Sequence, residues 1–176
     1  MTAVFSFRPE YFNNNGDQGN IEALEHFTGS KFTPTAIAGA DFVLFGDASR
    51  AAMREFREEL ETFVSPLETR LNEGSPTLLV GSSYEFFADR IKAIPDLQFG
   101  DRVSEFRTAM SSGFEVKGYR NSEVQGSDLF VSGMFIGTTL FGPVLAKNLA
   151  LSEAVAKSLG LDLAISAEER NWIEKL

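Results

Sequence analysis

The chain has 176 residues, 43% apolar and 23% charged, with sixteen basic against twenty-five acidic side chains and a net charge of −9. That balance excludes a general nucleic-acid or anionic-membrane surface, since both select Lys and Arg, and no stretch approaches the ~18 apolar residues of a membrane-spanning helix. With no cysteine the chain has no disulfide, no thiolate metal site and no cysteine nucleophile.

The length fits a single domain over residues 1–176. The opening residues lack a basic, then apolar, secretory pattern, so the expected setting is cytoplasmic. Residues 4–7 form a short β-type run that Arg8-Pro9 ends. A turn-rich polar segment, 13–20, leads into Ile21, Leu24 and Phe27, whose spacing predicts a helix over 20–28 stopped by Gly29. Residues 35–38 read as a weak strand and 41–46 as a continuous apolar one. Residues 48–63 place Ala52, Phe56, Leu60 and Phe63 at helical spacing, Ser65-Pro66 interrupts, and 67–71 add a further turn or helix.

The stretch from Thr77 to Phe87 is the focus of the chain. Four apolar or small residues, 77–80, end in Gly81-Ser82-Ser83, and a helical run follows. A buried parallel strand feeding a tight turn into a helix reads this way, and such turns present nucleophiles in α/β enzymes. The order β-α-β-β-α-β-α predicts an α/β fold with a mostly parallel sheet and helices on both faces. After Pro95 the pattern changes to short β-like pieces near 102–108, 113–119, 128–131 and 134–138. The one hint of helical period there lies at 103–110. Residues 144–149 and 152–159 read as helical, and Ser166-Ala167-Glu168-Glu169 is a capping-box pattern ahead of Trp172.

Several residues are candidates for chemistry. Ser82 is the conceivable nucleophile at the turn, but it needs a base, and the one histidine, His26, sits on the first predicted helix as an expected surface residue. Ser82 and Ser83 also suit a helix start simply as small residues. Asp17 and Asn20 flank glycines before a helix, where backbone amides could hold an anion or serve only turn and capping chemistry. Glu22 and Glu25 read as solvated. Glu55, Glu58, Glu59 and Glu61 alternate with Arg54 and Arg57 as a salt-bridged exposed face. Phe86, Phe87 and Phe141 would line an apolar pocket or fill the core. No phosphate-loop or dinucleotide motif is present, so no cofactor and no metal are expected.

Four segments together resemble the class I glutamine amidotransferase domain, in its cobyric-acid-synthase-like, GatD-type branch. Gly16-Asp17-Gln18-Gly19-Asn20-Ile21-Glu22-Ala23-Leu24 is similar to the family's Gly-Asp-x-Gly-Asn-x-x-Ala-Leu run. Asp41-Phe42-Val43-Leu44-Phe45-Gly46-Asp47 stands where the family has an apolar strand ending in glycines. The focal stretch stands where it reads Val-Cys-Gly-Gly-Tyr-Gln. The run from Ile136 to Asn148 resembles Ile-Gly-Thr-Tyr-Leu-His-Gly-Pro-Leu-Leu-x-Lys-Asn, and Gly118-Tyr119-Arg120-Asn121 is a weaker match to Gly-Phe-Glu-Asn. The resemblance implies a three-layer, flavodoxin-like α/β fold.

The same resemblance puts the family's nucleophilic cysteine at Gly81 and its catalytic histidine at Phe141. Glycine has no nucleophile and phenylalanine moves no proton. Gly46 and Asp47 stand at the strand end that supplies oxyanion-hole amides, where an inward carboxylate would repel a developing oxyanion. Tyr84 is retained and Glu85 replaces the usual Gln. The expectation is therefore a catalytically inactive homologue whose vestigial site comprises Gly46, Asp47, Gly81, Ser82, Tyr84, Glu85 and Phe141, with Asp17, Asn20 and Asn121 as possible binding residues. It would act through a protein partner, such as a ligase or synthase subunit, or through self-association. The alternatives are an enzyme with changed chemistry at Ser82 or Glu85, and a structural or assembly protein on the same fold.

Overall fold

The computed structural model describes residues 1–175. Its central sheet has six strands: β1 (Thr2–Ser6), β2 (Phe32–Pro34), β3 (Phe42–Phe45), β4 (Thr77–Val80), β7 (Leu129–Ser132) and β8 (Phe135–Thr138). Their order is β2-β1-β3-β4-β8-β7, parallel throughout except for β7, which returns antiparallel along β8. Every residue of β3, β4 and β8 is buried. That is why these strands read as continuous apolar runs instead of alternating ones.

Alternate residues of those strands point to opposite faces and build two cores. On one face Val4, Phe42, Leu44, Leu78, Val80 and Ile136 pack with Leu24 of α1 (Gly19–Thr28), Val144 and Leu145 of α6 (Val144–Lys147), and Leu151 and Val155 of α7 (Leu149–Ser158). On the other, Val43, Phe45, Leu79 and Phe135 meet Ala52 of α2 (Arg50–Glu55), Leu60 of α3 (Arg57–Glu61), Leu67 and Leu71 of α4 (Val64–Glu73), and Tyr84 and Phe87 of α5 (Ser82–Ala88). The result is the three-layer α/β arrangement expected from the sequence. Phe5, Phe7, Phe12, Phe45, Phe63 and Phe87 make a chain of ring contacts 4.7–5.7 Å apart on this second face.

Local readings shift in four places. The strand expected at 35–38 lies at Phe32–Pro34, and Ile37–Gly39 forms a 3₁₀ turn. The helix expected over 48–63 breaks at Phe56, whose φ of −96° and ψ of 11° leave the helical region. Pro66 does not interrupt: it stands in the first turn of α4, where a missing N–H costs no helical hydrogen bond. Glu59 and Glu61 bond Arg8 and Arg90, more distant in sequence than the Arg54 and Arg57 expected for them.

The largest difference lies in residues 98–125. The short pieces expected there join into a hairpin of β5 (Gln98–Ser111) and β6 (Phe114–Gln125), and the helical hint at 103–110 is strand. Ser112 and Gly113, with φ of 49° and 83°, make the two-residue connection, and two left-handed residues suit the twist of a hairpin. With β9 (Leu140–Phe141) these strands form a second, three-stranded sheet in the order β5-β6-β9. α8 (Ala167–Ile173), capped by the Ser166 hydroxyl accepting from the Glu169 amide, packs Ile173 against Ala23, Phe27 and Leu149. Among the described residues no helix is long and apolar enough to cross a membrane.

Candidate functional site

β3 and β4 are parallel neighbours, so the turns after them, 46–48 and 81–83, lie side by side at the carboxyl edge of the sheet. Gly81 joins β4 to α5 with φ of 56° and ψ of −122°, a conformation costly for any residue with a Cβ. Its N–H donates to the Thr138 carbonyl at 2.8 Å. The space a side chain would need here is already filled. A Cβ on Gly81 would collide with Asp47 Oδ1, lie 2.8 Å from Asp47 Cγ and lie 2.7 Å from Phe141 Cε1.

Asp47 is held in that position by amides alone. Its Oδ1 accepts from the Ser82 N–H at 2.9 Å, at the start of α5. Its Oδ2 accepts from the side-chain amides of Asn15 at 3.0 Å and Asn14 at 3.4 Å. The first amide of a helix after a strand–turn is the donor that a developing oxyanion would use, and here it bonds the protein's own carboxylate. Gly46 admits this packing because a Cβ there would lie 2.9 Å from Asp17 Cβ and would also strike the Phe12 carbonyl.

Ser82 is tied down as well. Its Oγ accepts from the Ala48 N–H at 2.9 Å and donates to the Ala48 carbonyl at 3.2 Å, so the hydroxyl latches one turn to the other. Ser83 donates to the Gly46 carbonyl at 2.7 Å and does the same one layer deeper. His26 is distant from both turns: its Nε2 meets Glu169 Oε1 at 2.5 Å on the exposed seam between α1 and α8. Tyr84 is buried with its ring against Gly137, and burial pushes its phenol up to about 12.

Asp17 and Asn20 are brought close to the turns but do not face solvent, so of the two roles open to them, binding a ligand or serving the turn and its cap, they take the second. Both are fully buried. Asp17 Oδ2 accepts from the Asp47 N–H at 3.0 Å, and burial raises its carboxyl to about 7. Asn20 donates to the Asp17 carbonyl and accepts from the Leu145 N–H, both at 2.9 Å, stapling α1 to α6. The nearby amides of Gly16, Gly19 and Asn20 are consumed within the turn by the Asn13, Gly16 and Asp17 carbonyls. No free anion cradle remains there.

Above the two turns lies a polar cleft of about 310 Å³. Asp47, Ala48, Ser82 and Phe141 form its floor, and Asn14, Asn15, Arg50, Glu85, Arg102, Asn121, Ser122 and Glu123 are among its walls. Asn121 stands on the β6 side, accepting from Ser104 Oγ at 2.9 Å and Arg102 Nη1 at 3.2 Å. Glu85 accepts from Ser122 Oγ at 3.3 Å, and burial shifts its carboxyl upward. Ala48, Arg50, Ser82 and Glu85 also border a larger cavity of about 850 Å³ that reaches Phe86, Leu97 and Phe99. Of the two roles open to Phe87, lining a pocket or filling the core, it takes the core. Among the described residues no three His, Asp or Glu side chains gather as metal ligands.

The sequence reading missed Asn14, Asn15, Arg102, Ser122 and Glu123, because each reaches the cleft through the position of a turn or of the unforeseen hairpin. It also missed a buried ion pair under the small sheet. Arg120 is 1% exposed, with Nε 3.3 Å from Asp128 Oδ1, and Asp128 also accepts from Thr139 Oγ1 at 2.5 Å and from Arg107 at 3.3 Å.

No protein-family model matches the chain, and no curated relative does. Solved structures do. A glutamine amidotransferase from Thermotoga maritima superposes with a TM-score of 0.55 at 16% identity, over 89% of this chain and 82% of that one. PurLQS from Thermotoga maritima superposes with a TM-score of 0.51 at 10% identity, over 98% of this chain and 99% of that one. At such identities the likeness is one of fold, and the chain has a glutamine amidotransferase-like α/β fold.

Proposed function

We propose that this protein is an amidotransferase-like molecule that does not hydrolyse glutamine and acts by binding, with a ligase or synthase subunit as the class of protein partner its sequence resemblance implies. One observation carries the reading: the turn that would present a nucleophile bears Gly81, and the volume of the missing side chain is taken by Asp47 and Phe141. Thiolate or alkoxide attack on an amide requires a nucleophile, a base and free oxyanion donors. Gly81 and Phe141 supply neither of the first two, and the Ser82 amide is bonded to Asp47.

The measurement is ammonia release from glutamine by the purified chain. The expected rate is that of buffer, unchanged in Ser82→Ala and Glu85→Gln variants. Hydrolysis above background that either substitution abolishes overturns the reading.

The second reading is altered chemistry in the same cleft, and what favours it is Glu85, half-buried beside open space with its carboxyl raised by burial. Against a serine route, both hydrogen-bonding capacities of the Ser82 hydroxyl are used by Ala48. Covalent labelling of the chain by a fluorophosphonate, lost in Ser82→Ala, would place this reading ahead.

A further inference from the structure

β5 is the outer strand of the small sheet, and among the described residues its one neighbour in the sheet order is β6. An edge strand presents unpaired N–H and C=O groups, and proteins usually keep such edges short or cover them. This one runs from Gln98 to Ser111 and carries Phe99, Phe106 and Met110 at 60%, 79% and 69% exposure. Its regular free part is bounded at both ends. A register shift lies between Phe99 and Val103. Beyond Met110, Ser111 Oγ accepts from the Val131 N–H and Ser112 Oγ donates to the Val131 carbonyl, fastening the strand to β7. Residues 103–110 remain, roughly 27 Å of edge at ~3.4 Å per residue. Phe106 and Arg107 stand at their centre.

We propose that β5 pairs antiparallel with β5 of a second copy of this chain, about a two-fold axis through Phe106, joining the two small sheets into one. An isologous contact must be self-complementary. About Phe106, Glu105 falls opposite Arg107 of the second copy and Arg107 opposite its Glu105. Ser104 meets Thr108, and Val103 meets Ala109. Moving the axis one residue either way sets Glu105 against Glu105 or Arg107 against Arg107, which like charges directly opposite disfavour. The charges that would guard a lone edge thus select one register and one partner.

The faces agree with the register. Phe106 lies opposite Tyr119 of β6, their rings 5.2 Å apart and edge to face, and both are exposed, whereas Arg120 beside Tyr119 is buried. Pairing through Phe106 therefore lines up Tyr119, Phe106, Phe106 and Tyr119 across four adjacent strands on the outer face, where aromatic cross-strand pairs stabilise a sheet. Glu105 and Arg107 project to the other face, where Arg107 also reaches Asp128 at 3.3 Å. This goes beyond the proposed function and does not depend on it: a dimer forms whether or not the cleft hydrolyses glutamine.

Sedimentation of the full chain over a dilution series tests it, and ammonia release plays no part in the readout. The expected mass is that of two chains. Glu105→Arg, which places Arg against Arg107 twice, and Phe106→Ser, which removes the axial ring, each weaken association by at least roughly tenfold while leaving the circular dichroism unchanged. Because the chain has no cysteine, the double variant Ser104→Cys with Thr108→Cys sets thiols face to face across the seam with Phe106 intact, and mild oxidation links it into a covalent dimer much faster than Thr108→Cys alone. A single-chain mass at every concentration, a dimer unmoved by both Glu105→Arg and Phe106→Ser, or equal linking of the double variant and Thr108→Cys overturns the proposal. So does a lone chain whose β5 edge is instead occupied by a different protein.

Discussion

Gly81 shows how one residue can set both the backbone of a turn and what packs over it. The φ of 56° is strained for a side chain and free for glycine, so nothing in the backbone has to relax when the side chain is absent. Asp47 and Phe141 then close over the position. Gly81→Ala restores a Cβ into both the strained φ and the occupied volume, and is expected to cost about 2–4 kcal/mol in chemical denaturation. Combining it with Asp47→Gly recovers part of that loss by removing the colliding carboxylate, even though the Ser82 amide loses its acceptor. If Gly81→Ala alone is neutral, the space is not held as described. The sequence placed Gly81 at the turn, and the structure brings it side by side with Phe141 on the later strand. The occupation of the space by Asp47 was not legible in the sequence, since it depends on two turns some 34 residues apart meeting at adjacent strand ends.

At the scale of elements, strands buried on both faces announced themselves. Residues 42–45 and 77–80 have continuous side-chain burial, and a run of apolar residues encodes it directly. The β5–β6 hairpin was not visible as a unit because most of β5 is exposed, so polar residues such as Arg102, Ser104 and Glu105 break its alternation. What holds the hairpin down is equally hidden: a buried arginine on β6 and an aspartate just before β7. Asp128 binds Arg120, Arg107 and Thr139 at once. Asp128→Ala leaves the Arg120 guanidinium buried without its counter-charge, and the expected loss is about 3–5 kcal/mol by thermal or denaturant melting. Asp128→Asn should lose less, because it still accepts from Thr139. Equal, small losses in both variants would mean that water replaces the pair.

For the molecule as a whole, the layer order follows from β-α alternation in the first half of the chain, and the sequence carried that clearly. The departure lies in the second half, where a long hairpin replaces helix and strand and walls the cleft. The carboxyl of Asp17, buried in the turn before α1 against Gly46 and Asp47, gives the fold a pH signature. Its folded value of about 7 stands above the usual ~3.9 of an unfolded aspartate. Between those values the native state keeps a proton that the unfolded state has lost, so this group's contribution to stability falls as pH rises from about 4 to 7 and is lowest above that. Asp17→Asn lacks the titration. Its stability relative to the parent chain is expected to improve with pH across that window, by up to about 4 kcal/mol from the size of the shift. A difference that stays constant from pH 4 to 8 would mean that the carboxyl is ionised in the fold throughout.

The exposed side of the small sheet also leaves a kinetic trace at the level of single amides. Along an antiparallel edge strand every second N–H points toward the neighbour and the others point to solvent. In a lone chain, hydrogen exchange over residues 103–110 would therefore alternate between slow and fast from one residue to the next. Where a second strand covers the edge, the fast set slows first around Phe106 and last toward Val103, so the order in which deuterium enters these amides traces how far along the strand the molecule is in contact with anything but water.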